Sequence, residues 1–387
     1  MKMTKLSLVA ALAVSAAFAG GDIAPVEPVV AAPVADCNKD TTIDGKLQAY
    51  YITDDSLPFD GMFGDHHQLG TAATLNVAHK LFDNVTLNFG AVGYLNAIKG
   101  ADQDYGYLEG SKKGAFFNVA NLTATYGDTT LIAGRQLIDS PMFGSFDWLL
   151  APSAFEAYTL VNKSISDVTL VGTYVTKHRG SNAGDTWTNL TNINGGDNYA
   201  LGAVYGADAL SASVWYYGID AGNYTQVYAD AGYDFGSFDV AAQIASTNHD
   251  TAKDSLAYGA KIGTEFSGVK LMAAVNVVSD NNTAYIDRDG LYTSSWNSFA
   301  SDIAELNDDT VSWKVGASTE YAGINADLSY AGYGSDGSEL DLILGYDVTD
   351  SVNLAAIYSL TDYDGMITDT VDNDAVNALE LVGTYKF

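Results

Sequence analysis

From Thr42 onward, apolar and polar residues alternate over segments of roughly ten residues, and the connections between segments are alternately short and long. Alternation sends successive side chains to opposite faces of a β-strand, so the pattern predicts strands joined as hairpins. Eight short and nine long connections predict about 18 strands. The predicted fold is all-β, a transmembrane antiparallel up-and-down β-barrel with short periplasmic turns and long extracellular loops. The short turns are predicted near residues 80–84, 127–129, 163–167, 206–208, 236–237, 267–268, 322–323 and 349–350.

The charged residues within these segments occupy one strand face consistently. In residues 256–266, Leu256 and Ile262 lie on one face, and Lys261 and Glu265 lie on the other. A cation facing lipid at the middle of a membrane costs about 2 to 4 kcal/mol, so the charged face is expected to line the lumen. A soluble β-sandwich is the alternative, but it requires a second sheet to cover each apolar face.

Both ends of the chain indicate export to an outer membrane. Residues 1–19 combine a basic start, an apolar stretch and the small-x-small sequence Ala17-Phe18-Ala19, which predicts a secretory signal peptide. A membrane anchor is the alternative, although the apolar run is shorter than the ~20 residues that a spanning helix needs. Residues 20–40 contain three prolines and no alternation, and predict a periplasmic tail. Residues 41–387 form the predicted barrel, whose last strand ends on Phe387 like the sorting signal of outer-membrane barrels.

Composition agrees with a barrel and restricts its partners. The 387 residues are 47% hydrophobic, yet no further run of apolar residues is long enough for a membrane helix. The formal net charge of −30 is too large to be buried, so most of it must lie in water. Such a chain disfavours nucleic acid and attracts cations. Small hydrophilic solutes, cations, outer-membrane lipid and lipopolysaccharide are therefore the predicted partners.

The third long loop, residues 138–154, is rich in aromatic residues and proline. An exposed loop of this composition is costly in water, so it is expected to pack against the inner wall and narrow the pore. Contact with a neighbouring subunit is the alternative, and the sequence leaves monomer and homotrimer open. The residues predicted to form the constriction are Arg135, Asp139, Phe143, Phe146, Asp147 and Glu156.

The sequence around this loop resembles the corresponding segment of OprD-like porins, which include the major outer-membrane porins of epsilonproteobacteria. The resemblance depends on Gly134-Arg135-Gln136, Pro141, Asp147, Pro152 and Phe155-Glu156. It implies an 18-stranded porin whose third loop narrows the pore, sometimes with help from the seventh, here residues 280–309. Selective members line the lumen with a ladder of basic residues, whereas this chain has only three arginines.

A mixture of basic and acidic residues is predicted to line the lumen and to create a transverse field that sorts solutes by charge. Lys177 and Arg179 are equally placed to bind lipopolysaccharide phosphates at the rim. The expected function is passive diffusion with cation preference. The alternatives are a selective channel for amino acids or carboxylates, and a structural or adhesive barrel. The predicted lumen charges are Lys46, Lys177, Arg179, Lys261, Lys270, Lys314, Glu320, Asp327, Asp341, Glu380 and Lys386.

Catalytic and metal-binding chemistry has little support in the sequence. The five histidines are scattered along the chain, and no nucleophile, base and acid occur in a recognisable pattern. The chain is therefore predicted not to be an enzyme and to need no cofactor. Calcium at Asp287 and Asp289 is the one metal hypothesis, although the spacing is not that of an EF-hand and a hydrated loop is favoured.

Overall fold

A computed structural model gives the fold of the chain. The predicted signal peptide and all of the predicted tail except Asp40 lie outside the described residues, as does Asp147. No helix in the described ranges is long and apolar enough to cross a membrane. The structure describes residues 40–56, 61–100, 105–109, 113–146, 149–180, 183, 187–190, 196–305, 310–334, 337–363 and 375–387.

Eighteen strands form one antiparallel sheet, and two short strands, β6 and β7, form a hairpin inside the third loop. The strands are β1 Thr41–Asp54, β2 His67–Phe82, β3 Val85–Lys99, β4 Lys113–Tyr126, β5 Thr129–Gln136, β6 Asp139–Ser140, β7 Phe143–Gly144, β8 Ala154–Asn162, β9 Val168–Arg179, β10 Asn198–Ala207, β11 Leu210–Ile219, β12 Tyr224–Asp234, β13 Phe238–His249, β14 Ser255–Phe266, β15 Val269–Ser279, β16 Thr310–Tyr321, β17 Ile324–Tyr333, β18 Gly337–Thr349, β19 Val352–Tyr363 and β20 Val376–Lys386. Short 3₁₀ helices cover Gly106–Leu108, Asp220–Gly222 and Ala300–Glu305.

The sheet closes on itself because β1 pairs with both β2 and β20. Phe387 completes this seam: its N–H donates to the Gly45 carbonyl, and its carbonyl accepts a bond from the Gly45 N–H, each at 3.0 Å. Closure leaves no unpaired sheet edge, which is the condition for a sheet to exist in lipid. The predicted 18-stranded barrel is confirmed.

The periplasmic turns fall where the sequence predicts them. Between β14 and β15, Ser267 and Gly268 both adopt positive φ, at 53° and 78°. Two consecutive residues of this kind make the tight turn whose twist suits a two-residue hairpin. Ala322 and Gly323 repeat this arrangement between β16 and β17, with φ of 54° and 81°.

The outer surface of the barrel is an apolar band with an aromatic edge. Leu256, Tyr258 and Ile262 on β14 are exposed, whereas the alternate residues Ser255 and Ala257 are buried. Large exposed apolar faces of this kind fit lipid rather than water. Aromatic side chains mark the end of the band near the short turns: Phe82, Tyr126, Phe266 and Tyr321.

The inner surface is polar, and loops fill the part of it next to their own attachment points. Leu108 from the second loop, Leu150 from the third and Trp296 from the seventh are all buried among inward-facing strand residues. Toward the short turns, inward-facing residues such as Lys46 and Glu320 are partly or fully exposed. The loop-filled part is therefore where passage through the barrel is most restricted.

Candidate functional site: the loop-filled constriction

The third loop turns into the lumen through the β6–β7 hairpin. Met142 and Phe143 are buried, and the Phe143 ring meets Phe155 edge-on with 4.8 Å between ring centroids. The Tyr217 hydroxyl on β11 donates to Ser140 Oγ at 3.2 Å. The structure thus places Phe143 where the sequence predicts an inward-packed loop, and leaves Phe146 beside it half-buried.

The seventh loop also enters the lumen, and its tip, residues 293–298, lies against the wall formed by β15 to β20. The Trp296 indole packs on Ile343 and Ile357, and its Nε1–H donates to Glu380 Oε1 at 2.7 Å. From the wall, Lys314 Nζ donates to the Ser294 carbonyl at 2.7 Å. These bonds hold the tip inside the barrel.

The third and seventh loops are joined to each other across the lumen. The Ile286 N–H donates to the Met142 carbonyl at 3.0 Å, and the Gly144 N–H returns a bond to the Ile286 carbonyl at 3.1 Å. Gly290 permits this approach, because a Cβ there would lie 2.5 Å from the Pro141 carbonyl oxygen. Two separate extracellular loops therefore form one constriction.

One ion pair and one histidine–aspartate contact occupy the joint between the loops. Arg288 of the seventh loop pairs with Asp139 of the third, and His178 Nε2 at the end of β9 lies 2.5 Å from Asp287 Oδ2. Their side chains are 16 to 35% exposed, so water reaches charged groups at this point. We take Asp139, His178, Asp287 and Arg288 as the candidate eyelet.

The structure corrects the predicted positions of Arg135 and Glu156. These residues are cross-strand neighbours on the outer face, the face that carries exposed Leu131. Arg135 stacks on Trp187, with 4.5 Å from the guanidinium to the ring centroid, and Glu156 pairs with Lys177 at 3.3 Å. None of the three charges lines the eyelet or the lumen. Leu131 shares the parity of Arg135, which is the physical reason for the outward orientation.

Arg179 is also misplaced by the sequence prediction, because its side chain is 0% exposed. Its guanidinium donates to both carboxylate oxygens of Glu109, at 2.8 and 3.2 Å, and to the Tyr94 hydroxyl at 3.2 Å. It lies 3.7 Å from the centroid of the Phe116 ring. Arg179 therefore ties the second loop to the end of β9, and is inaccessible to solute or to lipid phosphate.

The remaining predicted lumen charges lie on the inner face at two levels. At the level of the seventh loop, Lys261 Nζ lies 4.8 Å from the centre of the Tyr292 ring, and loop residues cover the other predicted lumen charges at this level. Those nearer the short turns are partly or fully exposed. The covered residues are Lys314, Asp341 and Glu380; the more accessible ones are Lys46, Lys270, Glu320, Asp327 and Lys386.

Asp287 and Asp289, the residues of the calcium hypothesis, have separate hydrogen-bonding partners in the structure. Asp289 accepts bonds from the Leu291 N–H at 2.9 Å and from the Ser294 and Ser301 hydroxyls at 2.5 and 2.8 Å. Burial raises the pKa of Asp289, and these donors oppose the rise. Asp287 instead contacts His178. Among the described residues, no group of three histidine, cysteine or acidic side chains could hold a metal ion.

A serine, a histidine and an aspartate do converge on the first loop, which the sequence did not reveal. Ser56 Oγ lies 2.9 Å from His66 Nδ1, but the Asp54 carboxylate contacts the same nitrogen. A hydrolytic relay requires the two partners on opposite ring nitrogens. The Tyr105 hydroxyl donates to the other oxygen of Asp54 at 2.5 Å. This cluster joins the first and second loops.

Comparison with solved structures identifies the fold. OccD3 of Pseudomonas aeruginosa is 16% identical, with a TM-score of 0.72, over 92% of this chain and 93% of the other. A BenF-like porin of Pseudomonas fluorescens Pf-5 is 14% identical, with a TM-score of 0.72, over 90% and 99%. Pseudomonas aeruginosa OpdK, crystallised with vanillate, is 15% identical, with a TM-score of 0.73, over 90% and 98%.

The chain thus has the fold of the OprD-like porins, and the resemblance stated from its third-loop residues is confirmed at the level of the fold. No family model matches the sequence, and no curated protein matches it either. The comparisons therefore establish the fold alone.

Proposed function

We propose that this chain forms a water-filled channel in the bacterial outer membrane, through which small hydrophilic solutes and ions diffuse passively. The observation that carries the proposal is the closed barrel itself: its outer surface is an apolar band, its inner surface is polar, and two loops narrow it. Barrels of 16 to 18 strands are too wide for wall side chains to fill. The narrowing by the third and seventh loops then sets what passes.

Cation preference is the second part of the proposal, and the short turns support it. Five of the eight turns carry an exposed aspartate, so carboxylates surround the opening at that end. Acidic rings concentrate cations at a pore mouth and disfavour anions. Asp167 and Asp208 also adopt positive φ, which aspartate tolerates better than most residues. The turn aspartates are Asp83, Asp128, Asp167, Asp208 and Asp350.

Reversal potentials in planar bilayers test both parts. With a potassium chloride gradient, the unmodified channel should show a reversal potential of the sign that indicates cation selectivity. Replacing Asp128, Asp167, Asp208 and Asp350 together by asparagine should move that potential toward zero. Asp250→Asn on an extracellular loop is the matched control and should leave it nearly unchanged. An anion-selective wild-type channel would contradict the proposed preference, and absence of any steady current would favour a structural or adhesive barrel.

A substrate-selective channel is the second candidate, favoured by the extent to which loops fill the barrel. The arginines do not provide the ladder expected for carboxylate selection: Arg135 faces outward, Arg179 is buried and Arg288 is paired with Asp139. Swelling rates of liposomes in sugars, amino acids and carboxylates separate the two candidates. Similar rates for solutes of equal size support diffusion, and one strongly favoured solute supports selection.

The outer wall and the assembly complete the proposal. Outer-membrane lipid and lipopolysaccharide are the proposed partners of the apolar band, with Arg135 and Lys177 partly exposed on the outer face. Migration of unboiled protein in electrophoresis distinguishes a monomer from a homotrimer.

A further inference from the structure

The wall beneath the tip of the seventh loop is built from hydrogen-bond acceptors. Glu339 and Asp341 from β18 and Glu380 from β20 face the same tip and are at most 1% exposed. Ile343 and Ile357 lie beside them and provide an apolar surface. We call these five residues the tip seat.

The loop tip fills the tip seat with neutral donors. The Trp296 indole N–H donates to Glu380, and the Trp296 backbone N–H donates to Asp341 Oδ2 at 3.2 Å. The Asn297 backbone N–H donates to Glu339 Oε1 at 2.7 Å, and the Ser298 hydroxyl donates to the other oxygen of Glu339. The tip thus satisfies the geometry of the seat with N–H and O–H groups but brings no charge.

The carboxyl groups of the tip seat are held by hydrogen bonds rather than by ion pairs. In the part of the chain that the structure describes, none of its three carboxyl groups forms an ion pair. Lys314 lies close enough to attract Asp341 and Glu339 electrostatically, but its ammonium donates to the Ser294 carbonyl and forms no ion pair with them. Among the described residues, Asp341 Oδ1 accepts no bond from an N–H or hydroxyl group, although the residue is 1% exposed. Buried carboxyl groups are stabilised far better by a cation with N–H donors than by neutral donors alone.

We propose that the tip seat is a binding site for arylalkylammonium solutes, and that Trp296 occupies it when no such solute is present. The ammonium group would meet Glu380 and Asp341, and the aromatic ring would take the place of the indole on the two isoleucines. A free carboxylate on the solute would be repelled by the three acids, which excludes ordinary amino acids. The proposal rests on the channel function proposed above, because the solute reaches the seat through the lumen.

Removing the occupant tests the proposal directly. Tryptamine, an indole with an ammonium group, should reduce the current of the wild-type channel in planar bilayers. In Trp296→Ala, the apparent dissociation constant of tryptamine should fall by about tenfold or more, because no buried indole has to leave the tip seat first. Trp313→Ala, which removes an indole from the outer face, is the matched control and should keep the wild-type constant. Equal tryptamine affinity in wild type and Trp296→Ala would overturn the proposal.

A second variant keeps the test decisive if Trp296→Ala does not fold, which unboiled electrophoresis reveals. Glu380→Gln keeps the shape of the seat and should weaken tryptamine at least about tenfold, the effect of losing a charge-assisted hydrogen bond. Asp347→Asn, lower on the same wall, should have no such effect. Indole-3-acetate, with the opposite charge, should not bind; equal binding of both probes, or an unchanged constant in Glu380→Gln, would overturn the proposal.

Calorimetric titration of tryptamine into detergent-solubilised protein separates this proposal from the channel function. Binding that depends on Glu380 without measurable current would retain the site and reject the channel. A steady current without tryptamine binding would retain the channel and reject the site.

Discussion

Replacing Arg179 by methionine is expected to destabilise the barrel by about 3 to 5 kcal/mol, the usual effect of breaking a buried ion pair from one side. The Glu109 side chain, 1% exposed, would lose both of its guanidinium bonds while remaining buried. The Phe116 ring would also lose the cation stacked 3.7 Å from its centroid. Urea unfolding in detergent micelles, followed by tryptophan fluorescence, measures the loss.

Two further variants separate burial from charge in this experiment. Removing both charges, in Arg179→Met with Glu109→Gln, should recover most of the lost stability, because no unpaired ion remains. Lys177→Met breaks the half-exposed pair with Glu156 on the outer face and should change stability by less than about 1 kcal/mol. If Arg179→Met and Lys177→Met unfold at the same urea concentration, the buried pair contributes no more to stability than the half-exposed one.

Most of the barrel is predictable from the sequence because its determinants are local. Side-chain alternation is repeated within each strand, and turns such as Ser267-Gly268 need only the residues that form them. Closure requires no further information, since an even number of strands with apolar outer faces has no other stable arrangement in lipid. The strand count and the positions of all eight short turns are therefore confirmed by the structure.

The side on which a charge lies was predictable where a strand supplied its own pattern, as for Lys261 on β14. The prediction is wrong for Arg135, because it follows the resemblance of the third-loop segment, whereas the apolar residue Leu131 on the same strand face indicates an outward orientation. The prediction that Arg179 lines the lumen is wrong for a different reason: its partner Glu109 is 70 residues away, on a loop without periodicity. Parity predicts a face, but it does not predict which loop covers that face.

The eyelet illustrates the same limit. Asp139 is predicted because it lies in the third loop, whose aromatic residues and prolines indicate inward packing. The sequence shows Arg288 only as one of three scattered arginines. The two residues are 149 positions apart and meet because two loops fold inward from different hairpins. Nothing in either loop sequence specifies that contact, since irregular segments carry no alternation. The loop sequence likewise does not specify that Trp296 packs on the wall formed by β18 to β20.

Reversing the charge of Arg288 should have the largest effect on conduction. In Arg288→Asp, the new carboxylate would face Asp139 and would replace an attraction between the third and seventh loops by repulsion. The joint should loosen, so single-channel conductance should rise several-fold. The eyelet would also lose its arginine, and cation selectivity should increase. Planar-bilayer recordings give both quantities from the same channels.

The charge-swapped variant, Asp139→Arg with Arg288→Asp, decides whether the pair itself closes the joint. It restores the attraction with the same two groups exchanged, so conductance should return toward the wild-type value although each single variant is altered. Groups in contact commonly show coupling of about 0.5 to 3 kcal/mol in such a cycle, whereas independent sites add. Additive effects on conductance would mean that the two residues act separately, and that the backbone bonds between Met142, Gly144 and Ile286 hold the loops together without them.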